Sequence, residues 1–273
     1  MEEFFMKKFL ALIMCVVLLT SCFMLSACDE VEDEIKDVID EMVDETDENG
    51  DLKTLGGKTP EQLYADASAL LKQATNFTQK ATQKIDMNFE GETISVEQIV
   101  FQKLDGDNSY FKTSGVEGAE MEGYYVDGVI YAKMNGVKNK ATLSKEDYYK
   151  KFLGESADES KIFDLPESWF TDISIKPDGD KYYIEFMVSG EEYAKVISKG
   201  VGNVNFSLAD NISYKVYFTK DGKILELITD FSMVVEGVET KVHSVSAFSD
   251  VGTTAPIEAP ADADSYNDVT GSI

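Results

Sequence analysis

The chain has 273 residues and a formal net charge of −26, with 51 acidic side chains against 25 basic ones. None of the basic residues is arginine, so the planar bidentate group that phosphate and carboxylate sites commonly use is missing. The charge argues against nucleic acid as a partner, because nucleic-acid binding depends on cationic side chains that neutralise phosphates. Solubility of a surface protein accounts for most of the acidity.

The first segment has the order of a bacterial lipoprotein signal: basic residues, an apolar run, small residues and a cysteine. Lys7 and Lys8 precede the apolar run at 9–19, and the lipobox Leu25-Ser26-Ala27-Cys28 follows it. The run is shorter than the roughly 20 residues that a helix needs to span a bilayer. We therefore predict a signal peptide over 1–27 and a diacylglycerol thioether on Cys28, which would anchor the chain to the extracytoplasmic face of the cell membrane.

Three details of this segment stay open. A second lipobox ends at Cys22, but cleavage there would leave a short signal and three apolar residues at the mature terminus, so Cys28 is favoured. A permanent transmembrane helix is the weaker alternative, and it stays open because the apolar run resumes at 23–25. Translation from Met6 instead of Met1 would remove the acidic Glu2 and Glu3, so that the signal begins Met-Lys-Lys directly before the apolar run.

Cysteine usage limits the chemistry of the mature protein. The third cysteine, Cys15, lies in the apolar run, so cleavage before Cys28 leaves one cysteine, and that one is acylated. This predicts no disulfide, no thiol nucleophile and no cysteine metal cluster. The mature chain of about 240 residues would then depend on an ordinary hydrophobic core, which suits one domain of this size.

An acidic segment separates the lipobox from the predicted domain. Residues 29–53 hold thirteen acids and two lysines, so charge repulsion predicts an extended tether over 28–58. Apolar residues at helical spacing between Val31 and Val43 leave a weak amphipathic helix as an alternative. The acidic run from Glu45 is not an EF-hand, because its twelfth position is Gly56 where a bidentate glutamate is required.

The domain is predicted to begin with a helix and to continue as hairpins. Thr59, Pro60 and Gln62 form a capping signature for a helix that ends near Thr75. Apolar residues then alternate with polar ones, which predicts strands separated by tight turns. The predicted strands, in chain order, lie around 85–89, 94–101, 110–112, 124–126, 129–133, 173–175, 182–188, 212–219, 224–235 and 240–248.

Short helices interrupt this series of hairpins. Ser144 and Asp147 resemble a capping box for a helix at 148–153, and a helical turn is predicted at 166–170. A further helix is expected at 191–198, ended by Gly200. After Gly252, prolines with repeated alanine and aspartate predict a disordered tail over 253–273.

The lipobox, the acidic tether, the leading helix and hairpins such as Tyr124–Lys133 and Tyr217–Glu226 resemble uncharacterised lipoproteins of Gram-positive bacteria related to the LolA, LppX and LprG carriers. The resemblance covers roughly residues 59–250. It implies an α+β domain at 59–252 with a strongly curved antiparallel sheet, a half-barrel, and helices packed on its concave face. Several members of such families hold acyl chains between the helices and the sheet. No motif of the resemblance identifies ligand-contacting residues.

A catalytic site finds little support in the sequence. His243 is the only histidine, and in its strand it shares a face with Lys241, which predicts exposure to solvent more than a role as general base. No nucleophile elbow, phosphate loop or dinucleotide motif occurs, and carboxylates are too numerous to single out one pair. We therefore predict no enzyme, no metal site and no cofactor, and a hydrolase is only the third hypothesis.

Aromatic residues offer the one candidate site. They cluster in the middle of the domain, where they would line an apolar cavity or, as the alternative, fill the core. The six candidates are Tyr124, Tyr131, Tyr149, Phe152, Trp169 and Phe170. The first functional hypothesis is binding or transfer of a lipid or acylated ligand by a monomeric, membrane-anchored lipoprotein. The second is a structural or protein-interaction role in the cell envelope with no small-molecule ligand.

The anchor can be tested directly. Cys28→Ala should abolish incorporation of a labelled fatty acid and block signal cleavage, because it removes the thiol that carries the diacylglycerol. Cys22→Ala is the matched control and should leave labelling intact. Label that persists on Cys28→Ala and disappears on Cys22→Ala would move the anchor to Cys22.

Overall fold

The computed structural model describes residues 52–73, 76–89, 91–116, 119–144, 147, 167–179, 181–197, 206–208, 210–219, 223–235 and 237–270. The predicted signal peptide, most of the tether and the residues of the helix predicted at 148–153 lie outside these ranges. Two α-helices are described, α1 (Pro60–Gln73) and α2 (Gly190–Ile197), and Glu167–Trp169 and Ala263–Ser265 form 3₁₀ turns. The strands are β1 (Asn76–Phe89), β2 (Glu92–Asp105), β3 (Asn108–Val116), β4 (Ala119–Val126), β5 (Val129–Met134), β6 (Val137–Thr142), β7 (Phe170–Asp178), β8 (Lys181–Val188), β9 (Phe206–Leu208), β10 (Ile212–Phe218), β11 (Ile224–Val235), β12 (Val238–Ser249) and β13 (Asn267–Asp268).

All thirteen strands belong to one sheet, in the order β13-β6-β5-β4-β3-β2-β1-β12-β11-β10-β8-β7, with β9 paired to β11. The pairing is antiparallel except between β13 and β6, which is parallel. The predicted open, curved antiparallel sheet with few helices is confirmed. That the helices cover its concave face stays a prediction.

Strand β1 shows how alternation divides the sheet into two faces. Phe77, Ala81 and Ile85 are buried, whereas Lys80 and Lys84 between them are exposed. Successive side chains of a strand point to opposite faces, and directly paired residues of neighbouring strands share a face. We call the face that carries Phe77, Ala81 and Ile85 the inner face and the opposite one the outer face.

The main hydrophobic core lies on the inner face and contains fifteen buried residues of the described chain. In register, Ile85 lies opposite Val96 of β2 and Val242 of β12, and all three belong to this core or pack against it. The core continues across β11, β10 and β8 through buried residues such as Tyr214 and Phe186. Both helices contribute to it.

Helix α1 begins with the predicted capping box. The backbone N–H of Thr59 donates to Gln62 Oε1 at 2.9 Å, and the N–H of Gln62 donates to Thr59 Oγ1 at 3.4 Å, which satisfies groups that have no partner in the first helical turn. Tyr64 then places its ring against Phe170 and Phe186, with centroids 5.2 and 5.0 Å apart. The capping chemistry thus fixes where the helix meets the sheet.

Tight turns join the strands where the sequence predicts them. Asp127 and Gly128 between β4 and β5 have φ of 51° and 79°, and Asn135 and Gly136 between β5 and β6 have φ of 49° and 83°. Positive φ at both central residues is the type I′ geometry, whose twist matches that of antiparallel strands. The helical turn predicted near Trp169 is also present, as a 3₁₀ turn.

The disordered tail predicted after Gly252 is wrong for residues 253–270. The N–H of Ile257 donates to Asp105 Oδ2 at 3.2 Å, Tyr266 is buried with its ring 5.5 Å from that of Tyr131, and β13 pairs with the edge strand β6. Composition misled the prediction because prolines and short polar residues also suit an extended strap that crosses the sheet and covers its edge.

The ordered contacts of the domain also begin earlier than the predicted boundary at residue 59. Leu52 forms an antiparallel bridge with Ile175 of β7, and its N–H donates to the carbonyl of Ile175 at 3.0 Å. Leu55 is buried in the main core. Leu52 and Leu55, at the end of the acidic segment, thus attach this part of the chain to the sheet and to the main core.

The tail contact predicts a loss of stability when its buried aromatic residue is truncated. Tyr266→Ala should lower the free energy of unfolding by about 3 kcal/mol, because a buried ring and its contact with Tyr131 are removed. The exposed neighbour Asp264 is the control, since Asp264→Ala should change it by less than about 0.5 kcal/mol. Chemical denaturation measures both. Equal stability of the two variants would mean that the contact between Tyr266 and the sheet does not stabilise the domain.

Candidate functional site

The aromatic residues predicted to line one cavity fall into two groups. Trp169 and Phe170 pack against the main core on the inner face. Tyr124 and Tyr131 are direct cross-strand partners on β4 and β5. The remaining two candidates, at positions 149 and 152, lie outside the described residues.

The strand register places the tyrosine pair on the outer face. Tyr125, the neighbour of Tyr124, lies opposite Ser109, which lies opposite the buried Leu104 of the inner face. Tyr124 therefore points the other way, toward Tyr110, which pairs with Lys103 on the outer face. The predicted single cavity that contains both Tyr124 and Trp169 is wrong, because a sheet separates them.

The outer tyrosines form a small polar cluster around a carboxylate. Glu122 accepts hydrogen bonds from Tyr110 at 3.0 Å and from Tyr124 at 3.1 Å. Burial, followed by these bonds, raises the pKa of Tyr124 to about 12 and that of Tyr110 still further. Both phenols therefore stay protonated near neutral pH and act as donors. Tyr131 contacts the tail through Tyr266, so this group serves to attach the strap.

The inner group surrounds Phe186 of β8. The ring of Phe186 lies 4.8 Å from that of Phe170 and stacks on Tyr214 at 5.1 Å with an interplanar angle of 4°. Burial raises the pKa of Tyr214 well above its usual value, and its neighbours Tyr193 and Tyr64 add to the shift. These rings join both helices to β7, β8 and β10, and they form the most aromatic part of the core.

The central strands carry a feature that the sequence analysis missed, a set of buried glutamines on the inner face. Gln79 and Gln83 of β1 have no solvent exposure, and Gln98 and Gln102 of β2 are 4% and 7% exposed. In register, Gln79 lies opposite Gln102 and Gln83 lies opposite Gln98. We call these four residues the glutamine band. Its signal was present in the sequence, because the glutamines occupy the positions of β1 and β2 that share a face with Ala81, Ile85 and Val100.

Hydroxyl side chains extend the band across the sheet. Ser244 of β12 lies opposite Gln83, and Thr229 of β11 lies opposite Ser244; both are buried. Neither amide atom of Gln79 or of Gln83, nor Gln98 Oε1, has a hydrogen-bond partner among the described residues. Buried amides of this kind are uncommon, because most buried polar groups in proteins are paired.

The glutamine band separates apolar clusters that share the inner face. On one side lies the main core, which includes Ile85 and Val242. On the other side, Phe77, Leu104 and Phe248 form a second cluster. Ala81 and Val100 form a third, small cluster between the two rows of glutamines. The buried inner face of the described residues is thus apolar at both ends, with two glutamine rows and one small apolar row between them.

His243 lies on the outer face, exposed to solvent as the alternation predicts. Its Nδ1 is 2.7 Å from Asp230 Oδ1, its cross-strand partner. Ser213 is the partner of Asp230 on the far side, so the carboxylate stands between the hydroxyl and the imidazole. A hydrolytic triad requires the histidine in the middle, and this row does not provide it.

The described residues contain no group of three or more histidine, cysteine, aspartate or glutamate side chains that could hold a metal ion. None of their helices has the length and apolar character to cross a membrane. A shallow cleft of about 190 Å³ on the outer face, lined by Glu122, Lys133 and Asn135 among others, is smaller than the usual volume of a ligand site.

Comparison with protein families places the chain. Residues 65–262, well over half of its length, match the model of a family of unknown function, DUF6612. The chain belongs to this family. The matched DUF6612 region reaches into the tail, as far as the residues that contact β6. A comparison with curated proteins finds no match.

Solved structures similar to this DUF6612 protein include LprF from Mycobacterium bovis, with 12% identity, 74% of this chain and 97% of that chain covered, and a TM-score of 0.39. LppX from Mycobacterium tuberculosis has 9% identity, 72% and 98% coverage, and a TM-score of 0.37. A LolA superfamily protein from Nitrosomonas europaea has 10% identity, 73% and 96% coverage, and a TM-score of 0.25. The predicted resemblance to LolA- and LppX-like proteins is confirmed, but at these TM-scores function has to be argued from the residues of this chain.

The separation of the two aromatic groups predicts unequal effects of truncation. Phe170→Ala should lower the free energy of unfolding by about 3 kcal/mol, because it opens a cavity beside Phe186. Tyr124→Ala should cost only about 1 kcal/mol, as expected for a half-exposed cross-strand pair. Urea denaturation followed by the emission of Trp169, the single tryptophan, measures both. A larger loss from Tyr124→Ala would contradict the assignment of the main core to the inner face.

Proposed function

We propose that this DUF6612 protein is an extracytoplasmic lipoprotein, anchored through Cys28, that binds a lipid or another largely apolar molecule on the inner face of its sheet. The site is the surface of β1, β2, β12 and β11 centred on Ala81. The protein acts by binding or transfer, without catalysis. The observation that carries the proposal is the row with the small side chains Ala81 and Ser246, which lies between two apolar clusters on the inner face.

A folded domain commonly has one contiguous core and smaller satellite clusters. Here the buried residues Phe77, Leu104 and Phe248 form a satellite cluster on the same face as the main core, and the partly buried Ile224 and Leu227 pack against both. The row between the two clusters carries the small side chains of Ala81 and Ser246, which are direct partners. A chain of methylene groups bound along Ala81 and Ser246 would contact both clusters, and burial of each methylene contributes about 0.8 kcal/mol.

The N-terminal segment supports the location of such a site. A lipobox cysteine would hold the domain beside the membrane, the source of apolar ligands, and an acidic surface without arginine favours attachment through acyl chains over attachment through anionic headgroups. The proposal needs no metal, no cofactor and no nucleic acid.

The alternative is a protein-interaction lipoprotein with a filled core. Its specific support is the tip of the β5–β6 hairpin, where Met134 and Val137 are 58% and 59% exposed. Two exposed apolar side chains flank the Asn135-Gly136 turn, next to the outer cleft. A patch this small is common on monomeric proteins, so lipid binding is the better supported of the two functions.

Lipid recovery from the full chain tests the proposal. The tagged protein, produced in a Gram-positive host and extracted in mild detergent, should retain a defined lipid that mass spectrometry of the organic extract identifies. Ala81→Trp should reduce the retained lipid to the background of the detergent micelle, because the indole would occupy the space between the apolar clusters.

Thr82→Trp is the matched control, since position 82 adjoins Ala81 on the outer face, and it should retain lipid as the wild type does. If Ala81→Trp fails to fold, the smaller Ala81→Leu replaces it. Equal retention by folded Ala81 and Thr82 variants would show that the lipid is carried by the micelle and would leave the protein-interaction function in its place.

A further inference from the structure

We infer that the glutamine band is a recognition site for the uncharged, hydroxyl-bearing head of an amphiphilic lipid, with its hydrocarbon on the flanking apolar clusters. The inference rests on the proposed function and specifies its ligand. It assigns the polar contacts to Gln79, Gln83 and Gln98, with the hydroxyls of Ser244 and Thr229 beside them.

The buried amides of the glutamine band are energetically unfavourable in the ligand-free protein. Gln79 and Gln83 have no solvent exposure, and none of their four amide atoms has a partner among the described residues. An unpaired buried polar group opposes folding, whereas an apolar side chain of the same shape at such a position is neutral or stabilising. Gln79 and Gln83, the inward residues on either side of Ala81, thus destabilise the ligand-free fold. Hydrogen bonds to a bound polar group would offset that effect.

The donors and acceptors of the glutamine band decide what it can bind. An amide both donates and accepts hydrogen bonds, and the hydroxyls of Ser244 and Thr229 do the same. A partner that presents hydroxyl groups, or hydroxyls with ester carbonyls, matches both functions. A pure hydrocarbon matches neither, and it would leave the amides unpaired.

The side chains of the glutamine band are uncharged. Between Phe77 and Ile85 the inward residues of β1 are Gln79, Ala81 and Gln83, none of which is charged. The lysines of this strand, Lys80 and Lys84, are exposed on the outer face, and the chain has no arginine. Among the described strand residues, a phosphate or carboxylate in this buried band would therefore lack a cation, and burying an unpaired charge is strongly unfavourable. The band selects a neutral head over an anionic one.

The order of polar and apolar side chains on the inner face determines how a lipid would lie on it. The band has the main core on one side and the cluster of Phe77, Leu104 and Phe248 on the other. A lipid whose polar atoms lie at the junction of its hydrocarbon chains places them at the band and its chains on the two clusters. A diacylglycerol, with ester groups and one free hydroxyl, is the simplest probe with this chemistry.

The test uses the full chain in detergent micelles that contain equal amounts of dioleoylglycerol and dioleoylphosphatidylglycerol. After recovery on an affinity resin, mass spectrometry of the extract measures how much of each lipid the protein retains. The wild type should retain dioleoylglycerol in preference to the anionic lipid. The variant Gln79→Met/Gln83→Met, which keeps side-chain length and removes the amides, should retain about tenfold less, as expected for the loss of one to two hydrogen bonds.

Thermal unfolding of the ligand-free proteins provides the second readout. The double variant should unfold at the same or a higher temperature than the wild type, because it removes unpaired buried amides. Thr82→Met, on the outer face, is the control for both measurements and should match the wild type in lipid retention. If the double variant fails to fold, Gln83→Met alone is measured.

The outcomes separate the inference from the function on which it rests. Wild-type protein that retains dioleoylglycerol, with equal retention by the folded methionine variant, would overturn the role of the band and leave lipid binding intact. Preference for the anionic lipid would overturn the inferred neutrality. A lower unfolding temperature of the methionine variant would show that the amides are paired in the folded protein. Wild-type retention of neither lipid, when protein from the Gram-positive host still yields one, would overturn the inferred ligand. Retention of neither lipid together with no lipid from the host would refute the proposed function itself.

Discussion

The pairing of β1 on both of its edges is the constraint on which the rest of the structure depends. This strand is bonded along its whole length to β2 and over eleven positions to β12, from Thr78 opposite Ser249 to Asn88 opposite Glu239. The first strand is thereby joined to the last long one, so two series of local hairpins become a single sheet. Formation of such a contact closes a long loop, and its entropic cost has to be offset by the burial that follows.

The register of this pairing decides what the inner face contains. A shift of one residue would bring Lys80 and Lys84 inward and turn Ile85 outward, which excludes that register. The same register that buries Ile85 also buries Gln79 and Gln83. Stability and the glutamine band are thus linked through one strand, and the unpaired amides represent stability that the fold gives up at a site where the proposed function needs polarity.

The two faces divide the aromatic residues into two roles. On the inner face, Phe170, Phe186 and Tyr214 join the helices to β7, β8 and β10. On the outer face, Tyr124 and Tyr131 belong to a network that ends in Tyr266 and attaches the strap 253–270 to the edge strand β6. The strap covers an edge that would otherwise present unpaired backbone groups to other chains.

The sequence by itself determined the local structure: the capping box at Thr59, the type I′ turns at Asp127-Gly128 and Asn135-Gly136, the alternation along β1, and the signal that predicts export. Each depends on residues close together in the chain. Only the tertiary structure decided that Tyr124 and Trp169 lie on opposite faces, that Leu52 and Tyr266 return to the sheet, and that four glutamines of β1 and β2 form one buried band. These features depend on register between strands, and register is set by the summed burial of the whole sheet, which no local pattern contains.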